Sequence, residues 1–148
     1  MAHIDLAIGS KGGPFETAFM TALASPASSH TPLLAVLAPN LMPKPATLMV
    51  NKVSIKNSKQ AILIFGPAQA AVAKAVADSV SDGIIPKGDA ENLLLIVSVF
   101  IEWDATDKKK IYDYNYEATK LAIKRAFAKE PKIDEVLEKR ATAKHPFA

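Results

Sequence analysis

Apolar and polar residues alternate with a period of two at the start of the chain. Within residues 3–9, Ile4, Leu6 and Ile8 fall on one side, while His3 and Asp5 fall on the other. Strict alternation over such a length is typical of a half-buried strand. The pattern therefore predicts a strand that carries a histidine and a carboxylate side by side on its polar face.

Three later stretches also have the character of strands. Residues 33–38 are wholly apolar, residues 47–55 alternate, and residues 92–101 form a long run rich in β-branched and aliphatic side chains. The last of these is expected to be the central strand, because central strands are apolar on both faces. Three prolines within residues 39–45 predict an irregular connection there.

Apolar positions recur at helical spacing in four segments, which are residues 14–24, 65–83, 106–128 and 131–140. The second segment has the clearest pattern. Pro67 is expected in its first turn and Gly83 just beyond its end. Gln69 would then lie beside backbone N–H groups that have no helical partner. Residues 57–65 are ambiguous between helix and strand, and we favour a helix.

The resulting order is strand, helix, two strands, helices, strand, helix. This order predicts a mixed α/β (α+β) fold, a two-layer sandwich of about four strands with helices on one face. Neither an internal repeat nor a linker divides the 148 residues. We therefore expect residues 1–148 to form a single domain.

Composition excludes several classes of site. The chain has no cysteine, and its three histidines lie at positions 3, 30 and 145, so we expect no metal. No apolar run approaches the length of a membrane span, and no secretory signal precedes the first strand. We expect a cytoplasmic protein without a membrane partner. The net charge of +3 is too small to demand nucleic acid.

Three places carry candidate chemistry. His3 and Asp5 can orient one another, Lys52 and Ser54 share one face of a predicted strand, and Gln69 stands at a predicted helix start. Each has a purely structural alternative. His3 and Asp5 could lie on the solvent-exposed face of an edge strand. Lys52 could be an ordinary solvated lysine, and Gln69 could belong to the polar first turn of a buried helix.

A series of short motifs together resembles the formaldehyde-activating enzyme family. They follow one another in the family's order across nearly the whole chain: Ala-His-Ile-Asp-Leu at residues 2–6, Glu-Thr-Ala-Phe at 16–19, Thr-Pro-Leu-Leu-Ala-Val at 31–36, Ala-Pro-Asn-Leu at 38–41, Lys-Pro at 44–45, Phe-Gly-Pro-Ala-Gln at 65–69, Gly-Ile-Ile-Pro at 83–86, Tyr-Asn-Tyr-Glu-Ala-Thr-Lys-Leu at 114–121 and His-Pro at 145–146.

The resemblance implies condensation of formaldehyde with tetrahydromethanopterin to methylene-tetrahydromethanopterin and water, by a carbon–oxygen hydro-lyase. It also implies a homopentamer with a fold like domain 2 of ribosomal protein S5. Family members usually carry a further segment before the Ala-His-Ile-Asp motif, whereas this chain begins almost at the histidine. It is therefore expected to be a short homologue.

The same resemblance implies a site. The family's catalytic histidine matches His3, and its pterin contacts match Asp5, Leu34, Lys52 and Gln69. Ser54 replaces a family threonine and keeps its hydroxyl. Tetrahydromethanopterin would act as co-substrate, with no metal.

Chemistry assigns hypothetical roles to these residues. His3 would protonate the departing hydroxide, because histidine suits general acid catalysis near neutral pH. Asp5 would orient the pterin or stabilise a cationic iminium, and Lys52 and Gln69 would donate to the pterin carbonyl.

Two other functions are open at this point. A pterin- or aldehyde-binding sensor or carrier could keep the pocket without turnover. Nucleic-acid binding by the lysines of residues 106–128 is less well supported, because no exposed strand interleaves aromatic and basic residues.

Overall fold

A four-stranded mixed sheet forms the centre of the structure, a computed structural model that describes residues 2–147. Its strands, in chain order, are β1 (Ala2–Ser10), β2 (Leu33–Leu34), β3 (Ala46–Asn51) and β4 (Leu93–Ile101). The spatial order is β1-β4-β3-β2. β4 pairs antiparallel with β1 and parallel with β3, and β2 pairs antiparallel with β3. The expected central position of the long apolar strand is confirmed.

The helices follow the predicted segments closely. They are α1 (Pro14–Ala24), α2 (Ser58–Leu63), α3 (Gln69–Ser81), α4 (Lys108–Ala128) and α5 (Ile133–Lys139). A π-helical turn, Ile64–Ala68, joins α2 to α3, and a 3₁₀ turn, Lys87–Asp89, precedes β4. The mixed α+β architecture with four strands therefore agrees with the sequence-based expectation.

Alternation along β4 determines which helices cover each face of the sheet. Leu95 and Val97 point to the side of α3 and α4, where they join the main apolar clusters. Leu94 and Ile96 point to the opposite side and pack with Phe19 of α1. The prediction that all helices cover one face is thus wrong for α1, because a strand that is apolar on both faces needs cover on both.

The helix predicted to begin at Pro67 begins nine residues earlier, at Ser58. Asn57 caps this start, since its side chain accepts a hydrogen bond of 2.9 Å from the N–H of Gln60. Pro67 lies inside the helix, within the π-helical turn. A π turn is one of the ways in which a helix tolerates a residue that lacks an N–H. The preference of proline for the first helical turn therefore predicted the wrong start for this helix.

One helical stretch, Ser58–Ser81, is long and apolar enough by length and composition to cross a membrane. Half of its most apolar window is buried inside the structure. α3 packs against both α4 and the sheet. Core helices of soluble proteins meet the same criterion, so this stretch is weak evidence for a membrane span.

Two strands are shorter than predicted. β2 ends at Leu34, because the chain leaves the sheet for a turn in which the Leu37 N–H donates to the Leu41 carbonyl at 2.8 Å. β3 ends at Asn51, whose side-chain amide donates to the Ser29 carbonyl at 3.0 Å and also to Val53. A local turn ends β2 and a non-local contact ends β3, and neither is visible in the periodic pattern of the sequence.

Candidate functional site

Asp5 is the centre of a polar cluster on the face of β1 that the sequence predicted to be polar. His3 Nε2 lies 2.9 Å from Asp5 Oδ1. Lys52 Nζ donates to the other carboxylate oxygen, Oδ2. The pairing of His3 with Asp5 follows from their spacing on one strand, whereas Lys52 comes from a separate part of the chain. The structure thus brings three of the predicted site residues together.

Strand order explains how Lys52 reaches Asp5. β4 lies between β1 and β3, and Ser98 pairs with Asp5 on one side and with Val50 on the other. Lys52 follows β3 directly, and its N–H donates to the Val99 carbonyl of β4 at 2.9 Å. The small side chain of Ser98 leaves room for the lysine to cross β4 towards the carboxylate.

The cluster keeps Asp5 ionised. The hydrogen bond from Lys52 lowers the pKa of Asp5 below its ordinary value; partial burial opposes this shift, and the bond from His3 adds to it. The Asp5 side chain remains 58% exposed and that of Lys52 32% exposed. Because exposed ion pairs stabilise folded proteins little, this cluster positions donors more than it stabilises the fold.

A cavity of about 240 Å³ opens beside this cluster and is lined by His3, Lys52, Phe100 and Phe147. Phe100 pairs directly with His3 across β1 and β4. Sequence reasoning missed both phenylalanines as site residues. Alternation along β4 would have placed Phe100 on this face once the pairing with β1 was known, but Phe147 lies in a tail without periodicity.

Leu34 and Ser54 lie further from the cluster. Leu34 pairs with Leu48, and both pack in the apolar cluster under α1, on the same sheet face as Asp5 but at the far edge strand. Ser54 is exposed, three residues beyond the last residue of β3. These two assignments stay predictions.

Gln69 does not lie at a free helix start. Its backbone N–H donates to the carbonyls of Gly66 and Ile64, so the predicted unpaired N–H group is absent at this residue. The buried side-chain amide instead holds Val36: Oε1 accepts from the Val36 N–H at 2.9 Å, and Nε2 donates to the Val36 carbonyl at 3.3 Å.

α3 packs on the sheet face opposite Asp5, and its residues share a cluster with Met49 and Val97. Within one chain, Gln69 therefore positions the segment that follows Leu34 and does not reach the cavity. Its proposed contact with the pterin remains a prediction.

Two further observations bear on the choice of site. A larger cavity, of about 450 Å³, lies between the start of α2 and the end of β4 and contains Trp103 and Ile62 in its wall. Its lining lacks a histidine, the residue that most often serves as a general acid near neutral pH. Within residues 2–147, no three metal-ligating side chains come close enough to hold a metal ion.

Comparisons with known proteins agree with the motifs. A sequence model of the family described as formaldehyde-activating enzyme matches residues 1–148. The 5,6,7,8-tetrahydromethanopterin hydro-lyase of Methanosarcina barkeri is 64% identical over 148 residues, which is 100% of this chain and 83% of that protein.

Longer relatives match as well. The bifunctional enzyme Fae/Hps of Methanosarcina mazei is 57% identical over 98% of this chain and 37% of its own length. The bifunctional enzyme Fae/Hps of Archaeoglobus fulgidus is 56% identical over 99% of this chain and 37% of its own length. With the family model matching every residue and a relative of similar length at 64% identity, the chain belongs to the formaldehyde-activating enzyme family.

Proposed function

We propose that the His3–Asp5–Lys52 cluster carries out the reaction of this enzyme, a hydro-lyase that condenses formaldehyde with tetrahydromethanopterin. The observation that carries the proposal is the shared carboxylate: His3 and Lys52 both bind Asp5 at the rim of one cavity. That arrangement places a proton donor, a cation and an anion within one small region of the surface.

The reaction has three steps. One pterin amine adds to the formaldehyde carbon and gives a hydroxymethyl adduct. The hydroxyl is protonated and leaves as water, so that the nitrogen lone pair forms an iminium. The second amine then attacks the iminium carbon and loses a proton, which closes the ring. The sum is one formaldehyde and one tetrahydropterin converted to the methylene product and one water.

Loss of water is the step that needs help, because hydroxide is a poor leaving group. His3 supplies the proton to that hydroxyl, and its bond to Asp5 fixes the ring in place. Asp5 offers negative charge beside the developing iminium. Lys52 offers a donor for the pterin carbonyl. Leu34, Ser54 and Gln69 stay proposed pterin contacts, although none of them lines this cavity within one chain.

The alternative of a non-catalytic sensor or carrier is disfavoured. A carrier needs the pterin contacts and has no use for a histidine aligned by a carboxylate. The chain retains both residues, and its 64% identity to a hydro-lyase extends over its full length.

The proposed assembly is a homopentamer in the cytoplasm. Large apolar side chains stay exposed on several surfaces of the single chain, including Met42, Ile62, Leu121 and Ile133. In the proposed oligomer these side chains would pack against other subunits. The number of five is carried over from the family resemblance, and the cytoplasmic location from the absence of cysteine.

Stopped-flow measurement of the methylene product tests the activity against the uncatalysed rate. We expect a clear enzymatic rate that survives prolonged treatment with a chelator, since no metal is proposed. A rate equal to the background in the presence of demonstrable pterin binding would favour the carrier. A rate abolished by the chelator and restored by one metal would contradict the metal-free mechanism.

A further inference from the structure

The C-terminal tail contributes one wall of the catalytic cavity. His3 and Phe100 come from the sheet and Lys52 from the residue directly after β3, but Phe147 reaches the cavity from the far end of the chain. Its side chain remains 75% exposed, the most exposed of the large apolar residues in the described part of the chain. The Phe147 ring therefore lines the cavity, while most of its surface remains free to contact a bound molecule.

The tail has a defined local structure at this point. The Phe147 N–H donates to His145 Nδ1 at 3.1 Å, and the two rings lie 6.0 Å apart. Pro146, between them, restricts the backbone further. These constraints fix the Phe147 ring relative to His145, and the path of the tail brings the ring to the cavity.

The second aromatic side chain of the cavity is also held in place. Phe100 is half-buried in β4, and its ring meets the edge of Trp103 at a centroid distance of 6.0 Å and an angle of 90°. Edge-to-face contacts of this kind are favourable and orient both rings. The cavity therefore has one fixed phenylalanine on the sheet and one exposed phenylalanine on the tail, and His3 and Lys52 complete its lining.

We infer that Phe147 closes over the flat pyrimidinone half of the reduced pterin and holds it against the sheet beside Phe100. This inference rests on the proposed function for the identity of the ligand. The cavity, about 240 Å³, is smaller than a pocket that encloses a whole drug-sized molecule, so it takes the head of such a ligand only.

The direct test is binding of tetrahydromethanopterin, measured under anaerobic conditions by the fluorescence of Trp103, the single tryptophan of the chain. Trp103 touches Phe100 and therefore reports on the cavity. Phe147→Ala should weaken binding by about 10-fold, the lower range for loss of an aromatic platform under a flat heterocycle. Phe147→Tyr should restore it, and Phe127→Ala, on the outer part of α4, should bind as the unmodified protein does.

Kinetics give a second readout that a purely structural role would not move. In Phe147→Ala the KM for the pterin should rise about 10-fold while the KM for formaldehyde stays within 2-fold. If Phe147→Ala binds the pterin within 2-fold of the unmodified protein, the inference is overturned, whether or not the enzyme turns over. If the unmodified protein binds but does not catalyse, the proposed function fails, and the binding series alone decides the role of Phe147.

Discussion

Asp5 shows how a single side chain organises the site at the residue scale. Both of its oxygens are engaged, one by His3 on the same strand and one by Lys52 on the other side of β4. An amide in its place has one oxygen and one NH₂ group, so it cannot accept from both donors in the same way. The carboxylate is therefore needed for geometry as well as for charge.

Asp5→Asn is expected to lower kcat by about 10²-fold, because a small displacement of a catalytic donor is sufficient for a loss of that size. The pKa of Asp5 is already lowered by its partners, so Asp5 stays ionised from pH 5 upward and should contribute no inflection to the rate there. Steady-state kinetics between pH 5 and 8 test this. Asp113→Asn, in a solvated pair with Lys109 on α4, is the matched control; equal losses in both variants would contradict the role of Asp5.

At the scale of elements, a polar contact joins helices α3 and α4. Tyr116 of α4 donates to Asp78 Oδ2 of α3 at 2.7 Å, and Lys74 donates to the other oxygen. The bond from Lys74, followed by that from Tyr116, lowers the pKa of Asp78. The same bond raises the pKa of Tyr116, because it favours the neutral phenol. Together with the ion pair between Lys120 of α4 and Asp82 at the end of α3, this polar contact ties the two helices together.

Tyr116→Phe should cost about 1 kcal/mol of unfolding free energy at pH 7, the usual net value of one hydrogen bond. Since the pKa of Asp78 is lowered in the folded state, its contribution is present above its unfolded pKa of about 3.9 and is lost as the pH falls through the folded value. The loss of unfolding free energy caused by Tyr116→Phe should therefore be smaller at pH 3 than at pH 7. Urea denaturation at the two pH values measures it, with Tyr112→Phe as control; an equal cost at both values would contradict the assignment.

Packing of α1 on β1 depends on Gly9. A Cβ atom at this position would overlap Cβ and Cγ of Phe15 in the first turn of α1. Gly9→Ala should therefore destabilise the protein by about 1–3 kcal/mol, as overpacking of a tight contact does. Gly66→Ala is the matched control, because a Cβ there meets no atom within 4 Å and the helical site favours alanine. Thermal unfolding compares the two; an unchanged midpoint in Gly9→Ala would show that Phe15 moves freely.

Local patterns in the sequence predicted most elements but not their contacts. The alternation around His3 and the long apolar run of β4 are local signals, and both were read correctly. The helix start predicted from Pro67 is wrong, because proline fits both the first turn of a helix and a π turn inside one, and the local sequence does not distinguish the two. The contact of Lys52 with Asp5 depends on β4 lying between their strands, and the place of Phe147 depends on the path of the tail. Such long-range pairings leave no mark on local periodicity.

At the scale of the whole molecule, the proposed state is a homopentamer. We expect light scattering at micromolar concentration to give a mass close to five times the 15.8 kDa of the chain. Association should persist in high salt, because apolar burial is not screened. A measured mass near that of one chain across the concentration range would contradict the proposed pentamer.

The central claim is that His3 donates the proton that releases water, and the most direct measurement is the stopped-flow rate of methylene product formation by His3→Ala. We expect kcat to fall at least about 10²-fold, within the range of general acid catalysis, while the dissociation constant of the pterin changes little. His30→Ala, in a loop where the ring contacts the Ser28 carbonyl, should keep full activity. A His3→Ala enzyme that retains the rate of the His30→Ala control above the uncatalysed background would contradict the account.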